Sequence, residues 1–293
     1  MRNQFPEHPS EGEYYNRKKV PWSKFFIYFI LSLFALSTIL AFIWIVMISL
    51  KSTTEFLMKS PWSLPEKFLF SNYLAAWNKA HLANYFKNSI LASTIGATGS
   101  VLLSALAAYV LARIPFKLNE FFRGYFIVGY MVPLFLTFIP LYFMMSGIGL
   151  SNGMVPLVLL YIASGVPFNT FLLRGFFESL PSELEDAAAI DGASPFRTFW
   201  SVMLPLAWSG LVSAFLINFM SLWNEFFLAL LFLKKENATM PLGLFYMAQR
   251  AEYTAQWTDL FAGMVITSIP ILILFALLHD QITRGMTEGA IKG

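Results

Sequence analysis

The residues able to do chemistry in this chain are few, and they do not converge. Cysteine is absent, which removes thiol catalysis, thiolate metal sites and disulfides. The histidines His8, His81 and His279 lie far apart, with no spacing suited to a metal. No Gly-x-Ser-x-Gly elbow offers a serine nucleophile. No Gly-x4-Gly-Lys-Ser/Thr loop is present to cradle nucleotide phosphates. Two features remain. Glu225 is a lone acid inside a long apolar run, and residues 182–205 form a polar, strongly punctuated segment between two such runs.

Both features need a scaffold, and composition says which kind. Of 293 residues, 57% are hydrophobic and 13% charged, with mean hydropathy +0.61. A soluble domain carries about 25% charged residues, so much of this surface faces lipid. The net charge is only +3 and the basic residues are scattered. A nucleic-acid partner would demand a clustered basic face, so none is expected. A bilayer core of about 30 Å takes about 20 apolar residues of helix. Six segments qualify: Phe25–Leu50, Ser89–Ala112, Gly124–Ser146, Met154–Leu173, Leu204–Leu233 and Leu260–Leu278. Alternating barrel strands are absent. The expected fold is an all-α integral membrane protein with six transmembrane helices. Pro133, Pro140, Pro156, Pro167 and Pro270 fall inside spans, where neighbouring helices can re-satisfy the freed carbonyls.

An even number of spans puts both termini on one side. Twelve of the twenty basic residues fall inside when that side is cytoplasmic. Arg17-Lys18-Lys19 before the first span and Arg113-x-x-x-Lys117 after the second supply the local bias. The expected organisation is a cytoplasmic tail at 1–24, a six-helix domain at 25–280 and a cytoplasmic tail at 281–293. The loop at 178–203 then faces the cytoplasm. The segments Lys51–Asn88 and Lys234–Asp259 lie outside, and Gly147–Gly153 reads as a tight turn.

Within the loop at 178–203, Ser182 and Glu185 have the spacing of a capping box. Helix formers follow through Ile190, and Asp191-Gly192 stops them. Ser194-Pro195 then restarts a helix, with Ser as cap and Pro at the first position. A short helix, a glycine corner and a second helix are therefore expected ahead of Leu204-Pro205.

The order Asp186-Ala187-Ala188, three residues, Gly192, nine residues, Val202-Met203-Leu204-Pro205 resembles the EAA signature of ABC importer permeases. Asp186 stands where that signature has Glu, and Val202 where it has Ile. The segment from Asn72-Tyr73 through Asn88-Ser89 is similar to the external segment before span two in carbohydrate-uptake permeases. Trp223-Asn224-Glu225-Phe226, Met240-Pro241-Leu242-Gly243-Leu244 and the terminal run from Arg284 to Gly293 are similar to the smaller six-span permease of maltose-type systems. The resemblance covers nearly the whole chain beyond residue 24.

This resemblance implies a type I ABC permease fold whose loop is a coupling helix gripped by a separate ATPase. It implies Glu185, Asp186, Ala187, Ala188, Asp191 and Gly192 as the partner-facing set. It also implies a terminal tail, including Gly289 and Lys292, that reaches the ATPase pair. The implied partners are a second homologous permease (a heterodimer), two ATPase subunits and an extracytoplasmic solute-binding protein. No cofactor is expected in this chain, because ATP and Mg belong to the ATPases. The implied location is a bacterial or archaeal cytoplasmic (inner) membrane. The implied cargo is a sugar or oligosaccharide, neutral or acidic, of maltodextrin or alginate type.

Glu225 lies about eight residues from the outer end of the fifth span, roughly 12 Å deep at 1.5 Å per residue. Asn218, Ser221 and Glu225 follow i, i+3, i+7, with Asn224 beside them. Two roles are open for this stripe: lining a translocation path, or hydrogen-bonding between helices. A self-sufficient secondary transporter or channel is the alternative reading of the whole chain. It would show paired repeats and broken helices carrying ion ligands.

Overall fold

The computed structural model describes residues 22–290, with side chains described for all of these except 23, 79 and 278–290. The chain divides between Ile45 and Val46 into two units. Helix α1 (Trp22–Ser49) supplies most of the first, and its residues up to Leu40 are exposed wherever a side chain is described. All further packing described here lies within the second unit.

After α1 come α2 (Thr53–Met58) and α3 (Ser71–Leu74), the latter continued by a π-turn at Ala75–Lys79. This loop is knotted around Lys51, whose side chain is fully buried. Its Nζ donates to Ser60 O at 3.3 Å, Pro61 O at 3.4 Å and Ser63 Oγ at 3.1 Å. Asn72 donates to the carbonyls of Ser49 and Lys51, each at 2.8 Å.

Helix α4 (Leu82–Arg113) is the centre of the unit. Its buried residues include Ser89, Ala92, Ser93, Gly96, Ala97, Ser100, Ser104, Ala105 and Ala108. They recur three to four residues apart, so much of the buried face carries small side chains and a neighbouring helix can approach closely. The helix packed there is α7 (Met154–Ser179). Between them in sequence lie α5 (Asn119–Met131) and α6 (Leu134–Gly147). The expected third span, Gly124–Ser146, is a bent pair: these two helices meet at 100°. Pro133 explains the break. It holds the preceding Val132 extended, at φ −71° and ψ 119°.

The fifth segment is also broken rather than continuous. Helices α8 (Glu183–Ile190) and α9 (Pro195–Thr198) lead through a π-turn at Phe199–Met203 into α10 (Leu204–Leu206). Helix α11 (Trp208–Trp223) then leaves at 75° to the stretch Pro195–Leu206. Pro205 has no N–H for the helical ladder, and the bonding widens to π spacing just before it. A short α12 (Phe227–Phe232) follows α11. Helices α13 (Met240–Thr254) and α14 (Trp257–Ala290) complete the described chain. Among the described residues four helices are long and apolar enough to cross a membrane unaided, and the total is six when each bent pair counts as one passage. Pro140, Pro167 and Pro270 sit inside helices without breaking them.

The main core joins α4, α7, α11 and α14. Trp223 is fully buried there, stacked on Phe219, and its indole N–H donates to Thr267 O at 3.2 Å. Met240 N donates to Ser89 Oγ at 2.7 Å and Asn88 Nδ2 to Ala238 O at 3.1 Å, so the start of α13 is pinned to α4.

Candidate functional site

The segment ahead of Pro205 folds as a helix, a corner and a second helix. Gly192 has φ +77°, the left-handed region that L-residues avoid. Ala193 N donates back to Ala188 O at 2.9 Å and Gly192 N to Ala189 O at 3.0 Å, closing the end of α8. Ser194 Oγ accepts from Arg197 N at 3.3 Å, with Pro195 at the first helical position.

The capping box at the start of α8 is not formed. Ser182 itself has helical dihedrals, φ −69° and ψ −25°, and makes no side-chain cap. The Glu185 carboxylate is drawn away from it. It lies 3.4 Å from Arg113 Nε and accepts from the Tyr109 hydroxyl at 2.9 Å. A tertiary ion pair thus displaces a local cap.

The six loop residues named from the sequence consequently separate. Asp186, Ala187, Asp191 and Gly192 are exposed, Ala188 is buried, and Glu185 is half-buried and turned toward α4. Two residues that sequence reasoning missed stand on the same corner: Ile190 is 87% exposed and Phe196 69%. Their signal was large apolar side chains in an otherwise polar, capped stretch. Small, acidic and apolar groups together make a surface suited to a protein groove. Lys292 lies outside the described residues. Gly289 lies in α14, in the part without described side chains.

The polar stripe of the fifth span does not exist as one face. Helix α11 ends at Trp223, and Glu225 sits in the break. Its carboxylate accepts from Leu228 N at 2.6 Å, Ala229 N at 3.1 Å and Tyr161 Oη at 2.8 Å. It therefore caps α12, at the positive end of that helix. Asn218 is buried against α4 and α7, where Ser100 Oγ accepts from Asn218 Nδ2 at 3.3 Å and from Asn169 Nδ2 at 2.9 Å. Only Ser221 and Asn224 remain exposed, the latter donating to Met220 O at 2.8 Å. The i, i+3, i+7 argument assumed an unbroken helix.

A cavity of about 470 Å³ opens at the bend between α5 and α6, lined among others by Tyr130, Thr137, Ser164, Pro167 and Leu228. Sequence reasoning missed these residues. Pro133 was the signal that backbone near them would be irregular.

Glu225→Gln is expected to weaken the start of α12, because an amide offers one acceptor oxygen where three donors converge. A cost of about 1–2 kcal/mol follows. It is measured as a lower melting temperature of the detergent-solubilised protein.

Among the described residues no group of three His, Asp or Glu side chains is placed to hold a metal ion. Residues 100–288 match the model of the family described as binding-protein-dependent transport system inner membrane component. The chain belongs to this family. As such a permease it is a membrane component of a transport system rather than an enzyme. The permease is 35% identical over 264 residues to the diacetylchitobiose uptake system permease protein NgcG of Streptomyces coelicolor, covering 90% of this chain and 87% of that one. It is 32% identical to the trehalose transport system permease protein SugB of Mycobacterium tuberculosis, covering 87% and 93%. In fold it is similar to a chain of a bacterial ABC transporter involved in the import of the acidic polysaccharide alginate. The TM-score there is 0.74 at 23% identity, covering 88% of this chain and 95% of that one.

Proposed function

We propose that this chain is one permease half of an ATP-driven importer of di- or oligosaccharides. It would work with a second homologous permease, two ATPase subunits and an extracytoplasmic binding protein. The observation that carries the reading is the exposed, glycine-cornered helix pair α8–α9, which presents Ala187, Ile190 and Phe196 with Asp186 and Asp191. A surface of that kind on a membrane subunit with no phosphate loop of its own points to a motor in another chain, and that motor would bind ATP and Mg. The sugar class is favoured by relatives named for diacetylchitobiose and trehalose uptake.

In this reading the termini and the loop 178–203 face the cytoplasm, in line with the basic residues at 17–19 and at Arg113 and Lys117. The membrane domain is 25–280, between tails at 1–24 and 281–293. Closure of the ATPases draws the paired corners together and turns the shared cavity outward, where the binding protein delivers its sugar. Ser221, Asn224 and the cavity by Tyr130 and Thr137 would border the path. Asn218 and Glu225 would hold the helices in place. Gly289 and Lys292 would belong to a tail that meets the ATPases.

The test is reconstitution of the purified complex in liposomes with its binding protein and labelled oligosaccharides. Uptake that requires both ATP and a loaded binding protein is expected. Uptake without nucleotide would favour a secondary transporter and overturn the proposal.

A further inference from the structure

Glu185 belongs to the exposed corner by sequence, yet its carboxylate points the other way. Two contacts join the first turn of α8 to the end of α4, and a third ties α4 to Leu180, ahead of α8. Glu185 Oε2 lies 3.4 Å from Arg113 Nε, and the side chains of Arg113 and Glu185 are 13% and 22% exposed. The Tyr109 hydroxyl donates to Glu185 Oε1 at 2.9 Å. The Arg113 guanidinium also donates to the carbonyl of Leu180, just ahead of α8.

Tyr109 is itself held on both sides. Its ring is 5.7 Å from that of Phe177 on α7 and 5.1 Å from that of Phe199 in the π-turn after α9. A second, smaller core gathers there, containing Ala105, Ala108, Leu173, Met203 and Ala207. Helix α8 thus has one exposed side and one side bolted to the end of a long membrane helix. The bolt combines two charge-assisted hydrogen bonds, from Tyr109 to Glu185 and from Arg113 to Leu180, with an Arg113–Glu185 ion pair of low exposure, and such bonds are more directional than apolar packing. Helix α4 in turn is packed along α7 through its small-residue face. A push on the corner therefore reaches α4 and α7 together.

We propose that Glu185, Arg113 and Tyr109 are positioning residues that transmit displacement of α8 into α4, and that Glu185 is not a contact to the ATPase. This inference rests on the reading of α8–α9 as the ATPase-coupling element.

The experiment uses the whole reconstituted transporter and reads the stimulation of ATP hydrolysis by loaded binding protein. Arg113→Glu and Glu185→Arg are each expected to lower that stimulation about tenfold or more. The double charge swap is expected to restore it to within about threefold of the parent, the signature of direct coupling in a double-mutant cycle. Single variants that keep full stimulation, or an assembled double variant that restores nothing, would overturn the inference. Should the swaps not assemble, Tyr109→Phe decides. Loss of one hydroxyl is expected to reduce stimulation about two- to fivefold, and no change would overturn the inference. Co-purification of an ATPase with the parent chain separates the two layers. Without it the coupling reading itself fails; with it and with silent variants, only the strut fails.

Discussion

Gly165→Leu is expected to leave little or no assembled protein in the membrane. A Cβ at this position would stand 2.0 Å from Asn218 Nδ2 and 2.4 Å from Ser100 Oγ. Both atoms belong to the buried junction where α4, α7 and α11 exchange hydrogen bonds, and neither can move without breaking one. Even Gly165→Ala combines overpacking with loss of interhelical bonds, at a cost of about 2–4 kcal/mol. The measurement is the yield of monodisperse protein after detergent extraction, with melting temperature for whatever survives. Gly124→Ala is the control. Nothing lies within 4 Å of its added Cβ, and it should behave as the parent.

Gly192→Val is expected to fold and insert, yet to lose about tenfold or more of its uptake. No neighbour blocks a side chain at the corner, so packing is not at issue. Backbone is: at φ +77° an L-residue pays about 1–2 kcal/mol, and a β-branched one more. The chain can escape by changing φ, which swings α9 away from α8 and spoils the surface they share. Gly192→Asn tolerates the same φ better and should retain more activity. Uptake normalised to the amount of protein in the membrane checks both. Equal uptake by all three would show that the angle of the corner is irrelevant.

Much of this structure was legible because its causes are local. Long apolar runs located the helices, although α4 begins seven residues before its run and α14 continues twelve residues past its own. The Gly192 turn and the Ser194 cap, with Pro195 behind it, followed from chemistry confined to neighbouring residues. The errors arose where distant residues compete. Glu185 has the right spacing to cap α8, but Arg113 and Tyr109, more than seventy positions away, offer it stronger partners. Prolines are equally ambiguous. Pro133 divides a span by 100°, whereas Pro167 is absorbed in α7. Packing around each, not the residue type, decides between those outcomes. Asn218 and Glu225 share a face only if a helix runs unbroken between them, and the stop at Trp223 separates them. Glu225 instead caps the start of α12, which a periodic reading does not register.

Ile190 is the best position from which to ask whether the corner truly enters a motor protein. It is 87% exposed, and the chain has no cysteine, so Ile190→Cys creates a unique thiol. A short thiol-reactive cross-linker applied to inside-out vesicles should join this residue to the ATPase polypeptide, with a yield that changes when ATP is added. A cross-link formed only from the outer face of intact cells, or none to any nucleotide-binding chain, would contradict the account.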